Sequence, residues 1–180
     1  SGKGVAAALL MSNFQAMLQS LIFQYRDLET FVFALNQAVH RTTKSDKFIT
    51  FFIAEIDTDK MEMSYINAGH FPPLLYTSGK IEELQKGSTI IGAFEKLPFI
   101  NEGKVKLGSD AMLFCFTDGL VDVTNGSGEY FDEEKLKSHI IENKDKGAAE
   151  FNKSIIKELE HFKGANDYVD DIAILTTKIY

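Results

Sequence analysis

The sequence predicts an α+β protein in which helices cover antiparallel sheets. Three observations carry this. The apolar period changes from helical to alternating after residue 47 and returns to helical after residue 132. The elements read in the order helix, helix, several short strands, helix, helix, strand, which suits a layered α+β fold. The length of 180 residues is that of one domain with a sizeable core.

Each element has its own signal. Val5–Phe23 is apolar on most sides and reads as a well-buried helix. Asp27 is a candidate N-cap for a second helix, with Leu28, Phe31, Val32, Leu35 and Val39 on one stripe. Phe48–Ile56 and the segment from Met61 to Ile66 form a hairpin around an Asp57–Lys60 turn. Leu74–Tyr76 and Ile81–Leu84 form a second hairpin around Thr77–Lys80. Residues 87–96 read as irregular, and 98–107 alternate loosely. Ala111–Thr117 is a short apolar run that reads as a strand buried on both faces. Asp132 caps a short helix whose first turn holds Glu133 and Glu134, favourable to its dipole. Ala148–Phe162 is amphipathic, and Ile172–Ile179 closes the chain as a strand.

The chemistry sits at two strand ends. The run A-M-L-F-C-F-T-D-G stops in Asp118 and Gly119, and a carboxylate at the mouth of a buried strand is costly unless something pairs with it. In Asn166–Tyr180 the order is reversed: Asp170 and Asp171 come first and the strand follows. If these strands are antiparallel neighbours, about 4.8 Å apart, Asp118 and Asp170 come within reach of one cation. Oxygen donors without His or Cys suit magnesium or manganese better than zinc. An Asp-Gly turn and a solvated acidic strand start would account for the same residues. At the other end, Gly2, Lys3 and Gly4 stand at a helix start, where free N–H groups can hold a phosphate. A plain glycine-rich helix entry explains them equally well.

Charge narrows the partners. A net charge of −7 argues against nucleic acid, whose binders carry a basic face. Cys115 has no partner cysteine in the chain, which points to a reducing, cytoplasmic setting. No apolar run reaches about 18 residues, so direct membrane insertion is not expected; the chain fits the cytoplasmic part of a longer sensor protein.

Four segments in order carry a resemblance: S-G-K-G-V-A-A-A-L-L-M-S at 1–12, N-A-G-H-F-P-P-L-L at 67–75, F-T-D-G-L-V-D at 116–122 and D-D-I-A-I-L at 170–175. Together they resemble the PPM-type metal-dependent serine/threonine phosphatases, in the bacterial SpoIIE/RsbU-like branch, over essentially the whole chain. The resemblance implies a single PPM-type domain over 1–180, a four-layer α/β/β/α sandwich of antiparallel sheets flanked by helices. It implies two Mn2+ or Mg2+ ions, with Asp118 and Asp170 as metal ligands and Asp171 and Gly119 in supporting places. It implies hydrolysis of a phosphoserine or phosphothreonine by metal-activated water. The expected partner is a phosphorylated regulatory protein such as a partner-switching anti-sigma-factor antagonist.

In that family an aspartate precedes S-G-x-G, and further strands precede it. Ser1 is the first residue here. The domain is therefore expected to be incomplete, missing N-terminal strands, and weak or inactive as a fragment. Cys115, inside a strand, is a poor nucleophile, and His70 reads as part of a turn supporting the sheet. A non-catalytic phosphoprotein-binding module, or a homodimer formed through exposed sheet edges, remains as an alternative.

Overall fold

A computed structural model describes residues 4–44 and 46–180. The chain forms two compact units that share the sequence alternately: Ser1–His70 with Gln85–Lys106, and Phe71–Leu84 with Leu107–Tyr180.

The first unit is a helix pair on a sheet. Helix α1 is Val5–Leu21 and α2 is Leu28–Thr43. Asp27 caps α2 as the sequence predicts, accepting the Thr30 N–H at 2.8 Å. Strands β1 (Phe51–Asp57) and β2 (Glu62–Ala68) form the expected antiparallel hairpin, Asp57 facing Glu62. Along its other edge β2 pairs in parallel with β5 (Gly87–Ser88) and antiparallel with β6 (Gly103–Lys106). The core joins Phe31, Val32 and Leu35 of α2 to Ile66 and Ala68 of β2.

Two sequence readings fail in this unit. Helix α1 is not well buried: Phe14 is its one buried residue, while Val5, Leu9 and Met11 are exposed. Its apolar residues run around the helix, so composition suggested burial where no facing layer covers most of it. Residues 87–88, read as irregular, form the parallel strand β5; two residues are too short to show a period. Close approach holds them there, since a Cβ on Gly87 would lie 2.0 Å from the Asn67 carbonyl oxygen.

The second unit repeats the plan. Strands β3 (Leu74–Thr77), β4 (Lys80–Glu83), β7 (Met112–Phe116) and β8 (Ile174–Lys178) form an antiparallel sheet in the order β4-β3-β7-β8. Helix α3 (Glu133–Asn143) starts at Asp132, whose carboxylate accepts the Lys135 N–H. Helix α4 is Ala148–Lys163. Phe114 and Phe116 of β7 stack at 5.3 Å, and Phe151 of α4 meets Phe114 edge-on. Leu136, Ile140, Ile155 and Leu159 complete this core. The α+β class with antiparallel sheets and flanking helices is therefore as predicted, with β2–β5 as the parallel exception.

Candidate active site

The second unit brings the two motif aspartates to one sheet end. β7 and β8 are antiparallel, with Phe116 opposite Ile174. Asp118 lies just beyond the end of β7, and Asp170 just before the start of β8. The two loops touch through their backbones. A Cβ on Gly119 would sit 2.7 Å from the Asp171 carbonyl oxygen and 3.3 Å from the Asp170 carbonyl carbon. Gly119 is thus needed for close approach rather than for a special dihedral.

Thr117 stitches the loops together. Its backbone N–H donates to the Ala173 carbonyl at 3.1 Å. Its hydroxyl donates to the Asp171 carbonyl at 2.9 Å and accepts the Ala173 N–H at 3.0 Å. Sequence reasoning passed over this residue. The available signal was a short hydroxyl side chain beside a turn, a type that bonds readily to nearby backbone.

Asp118, Asp170 and Asp171 are all exposed, which corrects the expectation of a costly carboxylate at the Asp118 position. One oxygen of Asp118 accepts the Gly119 N–H at 3.1 Å, and one oxygen of Asp170 accepts the Asp171 N–H at 2.9 Å. Each carboxylate keeps its second oxygen without a hydrogen bond among the described residues. Two such exposed carboxylates fit a hard divalent cation as part of an oxygen shell completed by water. Among the described residues no group of three His, Cys, Asp or Glu side chains is placed to hold a metal, so the protein donor set here is partial.

The other singled-out residues sort cleanly. Gly2 and Lys3 lie outside the described residues. Gly4 is the N-cap of α1 with φ 79°, and no side-chain hydrogen bond caps that end. Asn67 is buried and its side chain accepts the His70 N–H at 2.8 Å, in keeping with a turn that supports the sheet. Burial pushes the Cys115 thiol up to about 11, so little thiolate, the nucleophilic form, exists near neutrality. His139 is packed against Phe151 and bonded to the Ser154 hydroxyl, and burial lowers its pKa.

The profile of the family described as Stage II sporulation protein E (SpoIIE) matches residues 1–180. This chain belongs to the SpoIIE family. It is 31% identical over 176 residues to the phosphoserine phosphatase RsbP of Bacillus subtilis, covering 94% of this chain and 41% of that protein. The chain therefore spans less than half the length of this relative. Among solved structures, the SiaA-PP2C domain of Pseudomonas aeruginosa superposes with a TM-score of 0.86 at 18% identity, covering 100% of this chain and 73% of that one. RsbX in complex with magnesium superposes with a TM-score of 0.69 at 16% identity, covering 99% and 77%. At these identities the structural matches establish the fold of the SpoIIE-family chain.

Proposed function

We propose that this chain is a catalytic domain, one PPM-type domain over residues 1–180 built from both compact units, of a metal-dependent protein phosphatase acting on phosphoserine or phosphothreonine. The observation that carries the reading is that the loops bearing Asp118 and Asp170 lie at the same end of the β7–β8 pair, with Gly119 against the backbone of Asp170 and Asp171. The name of the relative RsbP supports the reaction class. The magnesium complex of RsbX supports a divalent ion.

Asp118 and Asp170 would hold Mn2+ or Mg2+, in a centre of two such ions. When bound, such ions supply Lewis acidity and lower the pKa of a coordinated water. The residues of this chain then have defined tasks. Asp118 and Asp170 are exposed and would offer their carboxylate oxygens to the ion. Gly119 lets the two loops meet. Asp171 lends its N–H to Asp170 and its carbonyl to Thr117.

The substrate is a phosphorylated regulatory protein of the partner-switching kind, such as an anti-sigma-factor antagonist, in the cytoplasm. No helix among the described residues is long and apolar enough to cross a membrane. A second reading, a phosphoprotein-binding or dimerising module without turnover, is favoured by the partial donor set. With only two carboxylates in place, weak turnover by these 180 residues is the expectation.

Phosphate release from a phosphoserine protein across a manganese titration tests the proposal. Manganese-dependent release that falls at least about 100-fold in Asp118→Asn and Asp170→Asn supports it. Metal-independent release, or release that survives both substitutions, contradicts it. Tight phosphoprotein binding without any release points to the binding module.

A further inference from the structure

Packing holds the segment that carries Asp170 only from Ile172 onward. Residues 167–171 are all exposed, and Val169 is 75% exposed although apolar. Polar contacts therefore have a large share in placing them. Downstream, Thr117 supplies them. Upstream, they come from the last turn of α4.

Tyr168 donates its hydroxyl to a Glu160 oxygen at 2.8 Å. The other Glu160 oxygen is 3.3 Å from the Lys163 ammonium. Lys163 donates to the Asn166 carbonyl at 3.0 Å and lies 5.1 Å from the Tyr168 ring centre. The Asn166 side chain in turn donates to the Thr124 carbonyl at 2.9 Å. Lys163 is a buried stem here, with its side chain only 16% exposed.

We infer that Glu160, Lys163, Asn166 and Tyr168 form a clamp that fixes the approach of Asp170 to its metal from the α4 side. They are positioning residues: none needs to touch the ion. Only one residue separates Tyr168 from Asp170, and a chain step is at most about 3.6 Å, so tying Tyr168 to α4 limits where Asp170 can go. The Glu160 side chain is 54% exposed, so water screens its pairs and they add little to stability; the clamp should show itself in metal affinity more than in unfolding. The inference rests on Asp170 being a metal ligand.

The test is Mn2+ binding to the whole chain by calorimetry, with metal-free thermal midpoints measured beside it. The variants are Lys163→Met/Tyr168→Phe together, Glu160→Gln and Asp170→Asn. Loss of outer contacts to a ligand should raise the Mn2+ dissociation constant about tenfold in the double variant. Its metal-free midpoint should move by no more than about 4 °C. Glu160→Gln keeps an acceptor for Tyr168 but loses the ion pair to Lys163, so its loss of affinity should be smaller than that of the double variant. Unchanged Mn2+ binding in the double variant, with Asp170→Asn impaired, overturns the clamp and leaves the ligand assignment standing. So does a loss of affinity matched by collapse of the metal-free midpoint. Unchanged binding in Asp170→Asn overturns the ligand assignment and the clamp with it.

Discussion

Thr117 shows how much one hydroxyl can decide. It accepts from one loop residue and donates to another, and both belong to the segment that follows Asp170. Thr117→Val keeps the shape and removes both bonds, leaving the Ala173 N–H and the Asp171 carbonyl without this partner. A lost bond of this kind costs about 1–3 kcal/mol when its partners are shielded from water. Thr117 is half-buried, so about 1 kcal/mol is the expected loss of unfolding free energy in urea. Thr117→Ser, which keeps the hydroxyl, should recover most of it. Equal stability of the Val and Ser variants would mean that the hydroxyl does not tie the loops. The sequence made Asp118, Gly119 and Asp170 legible because a carboxylate beside a turn interrupts an apolar pattern visibly. Thr117 was not legible, since its role depends on a partner 54 positions away.

At the scale of elements, what could be read was what repeats. The stripe on α2 and the caps Asp27 and Asp132 were legible because each signal is local. The antiparallel pairing of β7 with β8 was a supposition from two apolar runs with carboxylates at opposite ends, and the structure has it. Helix α1 misled because apolar content without a face says nothing about what covers it. That contrast gives a prediction. Phe14 is 6% exposed and meets Phe51 edge-on at 5.5 Å, so Phe14→Ala should cost about 3–5 kcal/mol. Leu9 is 62% exposed, so Leu9→Gln should stay within about 0.5 kcal/mol. Urea midpoints read both. A large loss at Leu9 would mean that this face of α1 is covered in solution.

At the scale of the whole molecule, the chain is two helix-on-sheet units interleaved in sequence, and the SpoIIE-family match runs through both. The alternation of units was not legible, because a crossing from one to the other looks like any loop. The nearness of the two aspartate loops was legible sooner than the architecture. Both its aspartates belong to one unit, and one antiparallel pairing is enough to bring them together. The central claim is that Asp118 and Asp170 hold the same ion. A manganese-binding cycle over the parent chain, Asp118→Asn, Asp170→Asn and the double variant tests this most directly. A shared ion requires each single variant to lose nearly as much affinity as the double, with a coupling of at least about 1 kcal/mol. Losses that simply add, or a parent chain with no saturable manganese binding, would contradict it.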